Sequence, residues 1–326
     1  MISTNRHTPG PEANWLQRVG NPAEERRFNI DLLRAEENID GLIEALGSED
    51  GLTRQRAALA LGDVGTEAAA GPLIRALGDP LTAVREAAAD SLAMLGPPAV
   101  GPLVELIEDP GASGKYEETA AAGGPVSVTG PGGRTWEVET RRDLRRVYAA
   151  AILGEIGDPA AVGPLIRALR DANDDLRCQA SGALAKFGRE AVEPLGAALA
   201  DPDPDVRIVA AGVLGDTGEA AAIEPLVGAL RDENGDVRGA AGGALVRLGG
   251  AAVDRLIAAT KDADRNVRLY AAGALKYIGD PRAIAPLRDL ARSGDAEEKG
   301  VAEDAIAKIR MVQGEAAPEP SAPTSR

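Results

Sequence analysis

Aromatic side chains make up only 2% of this 326-residue chain, with 2 Phe, 4 Tyr and 2 Trp. A core without large rings must come from Ala, Leu, Val and Ile, which suits closely packed helices better than a sandwich or a barrel. Histidine occurs once, at His7. That excludes Ser-His and Cys-His nucleophile systems and His-rich metal sites. Cysteine also occurs once, at Cys178, so no intramolecular disulfide forms and a reducing compartment is expected. No apolar run approaches the ~18 residues of a membrane span. The opening MISTNRHTPGPEANW lacks the apolar core of a signal peptide, so a cytoplasmic location is expected. Cations are outnumbered, 36 Lys+Arg against 51 Asp+Glu, for a net charge of −15. Nucleic-acid binding needs Lys and Arg to displace counterions, and an anionic membrane attracts them, so neither partner is expected. A basic protein partner remains compatible. Phosphate-loop and dinucleotide fingerprints are missing too, and no cofactor or metal is expected. The cluster Asp201-Asp203-Asp205 lacks the spacing of an EF-hand loop and fits solvated helix N-termini.

What is present is repetition. Arg54, Arg85, Arg146, Arg177, Arg207, Arg238 and Arg268 stand 30 or 31 residues apart, except for one gap of 61, and Lys299 takes the slot once more. A period of this size marks stacked helical repeats rather than an enzyme with a deep pocket. With the position before each Arg as zero, small or apolar residues fall at offsets 0, 4, 7, 8 and 11, as in Val206, Ala210, Val213, Leu214 and Thr217. This is one stripe of a helix. Eleven residues after each Arg comes a glycine: Gly65, Gly96, Gly157, Gly188, Gly218, Gly249 and Gly279. These read as helix stops. A second short helix follows, marked by Pro-Leu at Pro72, Pro102, Pro164, Pro194, Pro225 and Pro286, with Arg255-Leu256 in the other copy. Proline is tolerated in a first helical turn. The interval from stop glycine to Pro slot runs 7, 6, 7, 6, 7, 6, 7 residues, so the larger unit is a double module of about 61 residues.

In the phrases DPDVRIVAAGVLGDTG and IGDPAAVGPLIRALRD the pattern resembles the short HEAT-like repeats of the phycobilisome-lyase type, over residues 38–310. The resemblance implies an all-α fold, an α-α superhelix of about eight helix pairs. It also implies that the second helices line the concave face. One activity among such repeats, a di-iron hydroxylase, needs His-Glu pairs that this chain lacks. The expected organisation is a flexible N-terminus at 1–20, a solenoid at 21–310 and a disordered tail at 311–326. Within the solenoid, 21–47 forms the N-terminal cap. There Asn21, Pro22 and Glu24 open a helix sealed by Phe28, Leu32 and Leu33. A C-terminal capping helix occupies 296–310.

The arginines come with aspartates six residues earlier: Asp79 with Arg85, Asp171 with Arg177, Asp201 with Arg207, Asp232 with Arg238 and Asp262 with Arg268. Either they form an anion-binding stripe, or they form a structural ladder of Asp/Arg pairs within or between modules, as HEAT-type repeats do. The ladder is the reading carried forward. Breaking such a pair costs about 3–5 kcal/mol when buried and about 0–1 when exposed. Arg231, outside the slot, serves as the bystander for comparison.

The 61-residue gap holds an insertion at 110–140. Val126-Ser127-Val128 and Thr135-Trp136-Glu137-Val138 alternate with period two around Gly130-Pro131-Gly132-Gly133, which reads as a β-hairpin. Tyr116, Arg134 and Trp136 are hot-spot residue types, and Arg141, Arg142, Arg145 and Arg146 follow. The segment either recognises a protein partner through Tyr116, Arg134, Trp136, Arg141, Arg142 and Arg145, or packs passively on the array. The line Arg75, Glu105, Arg167, Ala197, Gly228 and Ala258, two places after Pro-Leu on the second helices, is a further candidate groove, with tight packing between modules the preferred account. The functional expectation is a monomeric, non-enzymatic protein-interaction scaffold or assembly factor. The alternative, implied by the resemblance alone, is a bilin-lyase-like protein attaching or removing a tetrapyrrole.

Overall fold

The structure, a computed structural model, describes residues 27–108, 126–129, 135–138 and 141–314, with the backbone alone for the strand residues and for 141–143. Asn21, Pro22, Glu24, Tyr116, Arg134, the 1–20 segment and 315–326 lie outside the described residues. The chain divides into two compact units, Met1–Asp158 and Pro159–Arg326. The first holds α1 (Ile30–Ala35), α2 (Ile39–Leu46), α3 (Gly51–Val64), α4 (Ala70–Ala76), α5 (Thr82–Leu95), α6 (Pro97–Glu108), β1 (Val126–Thr129), β2 (Thr135–Val138) and α7 (Arg141–Ile156). The second holds α8 (Val162–Ala168), α9 (Asp174–Lys186), α10 (Arg189–Ala198), α11 (Pro204–Asp216), α12 (Ile223–Ala229), α13 (Gly235–Leu248), α14 (Val253–Ala259), α15 (Arg265–Ile278), α16 (Ile284–Ser293) and α17 (Ala296–Val312).

The periodic stripe is the core. Val206, Ala210, Val213 and Leu214 are buried, as are Leu176, Ala180, Ala183 and Leu184. The leucine that follows each Pro slot is fully buried in every module: Leu73, Leu103, Leu165, Leu195, Leu226, Leu256 and Leu287. First helices α3, α9, α11, α13 and α15 start on an Asp or Asn cap whose side chain accepts from the backbone, as Asp50 does from Thr53 and Asn173 from Asp175 and Leu176, whereas α5 starts on Leu81 without one.

The alternating interval corresponds to two different turns. All seven stop glycines have positive φ. After the long interval, Gly65 (φ 71°, ψ 31°) and Gly279 (φ 77°, ψ 16°) are left-handed, and a short 3₁₀ turn leads into the second helix. After the short interval, Gly96 (65°, −133°), Gly188 (53°, −124°) and Gly249 (60°, −131°) mirror the first central residue of a type II turn, a conformation that glycine dominates. Asn tolerates the left-handed region, so Gly65→Asn is expected to cost under about 1 kcal/mol and Gly249→Asn about 1–3. Chemical denaturation of both variants checks this; equal losses would mean that the turns do not differ.

First helices also pair by twos. α3 packs more extensively on α5 than α5 does on α7, and α11 more on α13 than α13 does on α15. Small residues make this possible. A methyl group at Gly215 would lie 2.7 Å from Ala244 Cα, and one at Gly62 would lie 2.9 Å from Ser91 Cα. Where Gly62 meets Ser91, between α3 and α5, Ser91 Oγ donates to the Ala58 carbonyl at 2.9 Å. Second helices pack on one another less than first helices do.

The ends differ from expectation in detail. The chain leaves helical geometry at Phe28 and Asn29, and Asn29 caps a new helix by accepting from Leu32. Phe28 and Ile30 are buried, but Leu32 is 50% exposed, so it does not seal the end. The last helix runs two residues past the expected 310, because nothing breaks it before Gly314 at φ 74°. It opens with a capping box between Asp295 and Glu298. In the gap region, β1 and β2 pair antiparallel, Val128 opposite Trp136. A lone two-stranded ribbon is marginal in water and is not a folded module by itself.

Candidate functional site

The recurring charges build the joints between modules, by different atoms from those the six-residue spacing suggests. The slot arginines that follow a joint aspartate by six residues donate from Nη1 to that aspartate's main-chain carbonyl. Arg85 reaches Asp79 O at 2.8 Å, Arg177 Asp171 O at 2.7 Å, Arg207 Asp201 O at 2.8 Å, Arg238 Asp232 O at 2.7 Å and Arg268 Asp262 O at 2.8 Å. The aspartate carboxylate is turned elsewhere. Its Oδ1 accepts the N–H two residues on, as Asp201 does from Asp203 and Asp232 from Asn234. This closes an Asx turn and leaves the carbonyl facing the arginine. At the six-residue spacing the two residues thus meet through a guanidinium–carbonyl contact, and the expected Asp/Arg ladder forms between aspartates and arginines farther apart in the chain. In the Asp201-Asp203-Asp205 run, Asp203 in turn accepts from the Asp205 N–H, so two of its members are spent on turn and cap.

At four joints, Asp79, Asp201, Asp232 and Asp262, the carboxylate also takes an arginine, and the source alternates with the turn type. In long-turn modules the slot arginine reaches forward 25 residues. Arg54 Nε and Nη2 hold Asp79 at 2.7 and 3.0 Å, and Arg207 holds Asp232 at 2.8 and 2.9 Å. These forks are buried, with side-chain exposures of 8% and 10% for Arg207 and Asp232. In short-turn modules the carboxylate is held by an arginine 31 residues back, at the end of the preceding second helix. Arg170 holds Asp201, and Arg231 holds Asp262 at 2.5 Å. Arg170 and Arg231 are about half exposed, so these pairs are the weaker class. Arg231 is therefore no bystander. In short-turn modules Arg85 and Arg177 turn to local partners, Thr82 Oγ1 and Asp174, while Arg238 lies over the Tyr270 ring of the next first helix at 5.5 Å.

At the last joint Ser293 stands where other modules carry Asp, and Glu298 enters from offset zero of α17 to accept Arg268 at 2.7 Å. Charge is held firmly at these points. Burial pushes the Asp232 carboxyl up, but the Arg207 fork and the Asn234 N–H outweigh it and keep it below the ordinary carboxylate value. The Asp264 N–H and Arg231 do the same for Asp262. Arg265 draws Asp295 down to about 2.

The residues expected to bind a partner divide. Tyr116 and Arg134 lie outside the described residues. Trp136 lies on β2, and Arg141 and Arg142 open α7; only their backbone is described. Arg145 is corrected: it is 7% exposed, and its guanidinium lies against Gly78. Arg146 is buried too and donates to the Ile107 carbonyl at 2.8 Å. The basic run after the insertion is thus in part interior. Cys178 is exposed.

On the second helices Glu105, Arg167, Ala197, Gly228 and Ala258 are exposed, so packing between modules does not account for the small ones. The charges that flank them follow the helix dipole, with Glu224 and Asp254 in first turns and Arg167 and Arg292 in last turns. The first helices of the second unit carry a surface column that sequence inspection missed. Gly182, Gly212, Gly243 and Gly273 each sit five residues after the slot arginine, inside α9, α11, α13 and α15. A methyl group at Gly182 or Gly273 meets nothing within 4 Å, and at Gly212 or Gly243 only an Arg247 nitrogen at 4.0 Å. Packing demands none of these glycines, unlike Gly215 and Gly62. The signal was available in the register of the repeat. Among the described residues no three His, Cys, Asp or Glu side chains gather as a metal site, and no described helix is long and apolar enough to cross a membrane.

Comparison with known proteins gives a family match to HEAT repeats over residues 39–121, 139–197, 192–252 and 229–307. No curated protein matches the chain. Among solved structures, human deoxyhypusine hydroxylase in complex with glycerol is 21% identical, over 87% of this chain and 99% of that one, with a TM-score of 0.33. The complex of CpcE and CpcF of phycocyanin lyase from Nostoc sp. PCC7120 is 22% identical, over 45% and 99%, with a TM-score of 0.35. A designed armadillo repeat protein in complex with the peptide (KR)4 is 20% identical, over 51% and 94%, with a TM-score of 0.30. None of these scores is high enough to carry an activity or a ligand over to this chain.

Proposed function

We propose that this chain, which belongs to the HEAT-repeat family, is a protein-interaction scaffold that catalyses no reaction of its own and binds a partner along the first-helix face of its second unit. The observation that carries this reading is the glycine column. Glycine inside an exposed helix costs about 0.8–1.0 kcal/mol against alanine. Four in register, with open space where their side chains would be, lower stability without an internal return. Sites that break a local rule without internal compensation are where function is expected. Glycine also lets another backbone approach closely. Half-buried Ile208, Val209, Leu269 and Tyr270 border the column and give the face apolar area. The joint arginines and aspartates are absorbed into the array and are not part of this surface.

The test is affinity purification from the native host with the full chain and with Gly212→Lys/Gly243→Lys. Lysine is a good helix former, and both positions face open space, so the variant keeps its fold by circular dichroism. Partners bound through the face are lost with the variant; an identical set of partners in equal amounts overturns the proposal. Bilin transfer is the reading it excludes. With a bilin and an acceptor protein present, absorbance should show no covalent adduct.

A further inference from the structure

We infer that Arg145 is a positioning residue: it supplies the joint arginine that the end of α4 lacks and thereby clamps the chain where it returns from the insertion. Three observations meet here. First, residue 78 follows Pro72 by six, as Arg170 follows Pro164 and Arg231 follows Pro225. Arg170 and Arg231 close short-turn joints, but residue 78 is glycine and has no side chain to do so. Second, the space is filled by Arg145. A methyl group at Gly78 would lie 2.5 Å from Arg145 Nε and Nη2 and 2.7 Å from Cζ, so the guanidinium stands where a residue-78 side chain would begin.

Third, Arg145 breaks the repeat. It occupies offset zero of α7, where the other first helices bury Thr53, Val84, Leu176, Val206, Val237 and Val267. An arginine at a core position is costly unless its charge is used. The last joint shows that offset zero can serve this end: Glu298, the offset-zero residue of α17, enters the joint where Ser293 replaces Asp and takes Arg268. Arg145 is the cationic counterpart, entering where Gly78 replaces Arg. The neighbouring Arg146 ties the same turn of α7 to the Ile107 carbonyl of α6. The first turns of α7 thus lie against the end of α4 through Arg145 and are tied to α6 through Arg146.

Substitution separates this role from simple filling of the core. Arg145→Val restores the residue type that four modules carry there. If Arg145 only fills space, the variant is as stable as the wild type or more so. The clamp predicts a loss of roughly 5–10 °C in unfolding temperature, with faster amide exchange confined to the first turns of α7. Adding Gly78→Arg in the Arg145→Val background should recover most of the loss, because the joint then has its own arginine as at Arg170 and Arg231. Gly78→Arg alone should destabilise, since its space is taken. Undiminished stability of Arg145→Val, or failure of Gly78→Arg to rescue it, overturns the inference.

Discussion

Replacing Gly182, Gly212, Gly243 and Gly273 together by alanine is expected to raise stability by about 3–4 kcal/mol, or roughly 10 °C in unfolding temperature. Each substitution removes a helix-interior glycine at about 0.8–1.0 kcal/mol. The gain is not cancelled by strain, because the added methyl groups meet open space or an arginine tip 4.0 Å away. The positions lie on separate helices, so their effects should add within a few tenths of a kcal/mol each. Calorimetry of the quadruple variant is the measurement. The same variant should hold its partner less well, since four methyl groups now stand between the face and whatever lies on it. Gly215→Ala and Gly62→Ala give the contrast. Their methyl groups would fall 2.7 Å from Ala244 Cα and 2.9 Å from Ser91 Cα, and both variants should be less stable than the wild type. No gain from the quadruple variant would mean that these glycines are not surplus to the folded chain.

Arg207→Ala is expected to lower the unfolding temperature by on the order of 10 °C. The side chain makes a buried fork to Asp232 and donates to the carbonyls of Asp201 and Pro202, so one truncation leaves a buried carboxylate and two carbonyls short of their donor. Lysine should not rescue it, because a single ammonium cannot reproduce the fork and reach the carbonyls as well. Arg231→Ala should give a clearly smaller loss. Its pair with Asp262 is real, but the arginine is 46% exposed. Arg189, exposed on α10, is the better control and should shift by no more than about 1 °C. Comparable shifts for Arg207→Ala and Arg189→Ala would contradict the joint as described.

Much of the architecture was legible because it repeats. A helix stripe, a stop glycine and a Pro-Leu pair recur often enough to fix their period, and Leu73, Leu165 and Leu226 are buried as their slots require, although Pro102 and Pro194 lie inside α6 and α10 rather than in a first turn. The double module was visible in the 7, 6 alternation before any coordinates, since one residue more or less between two helices forces a different turn. The pairing of charges was not legible. Asp201 and Arg207 are close in the chain and do touch, but through a carbonyl, and which distant arginine claims each carboxylate depends on how far neighbouring modules are displaced. Arg145 was misread for the same reason. A run of four arginines looks like a surface patch, and only packing shows that one of them faces Gly78.

Local backbone chemistry, then, was determined by sequence alone: where each first helix stops at its glycine, which face it buries, and that HEAT repeats stack. Glycine, proline and the apolar stripe act over a few residues, so their order suffices. The tertiary structure decided whether a small residue is a contact or a vacancy. Gly215 and Gly212 lie three apart on α11, yet one touches Ala244 and the other faces open space. That difference depends on the distance between neighbouring helices, which the small residues of both helices set jointly and neither sets alone.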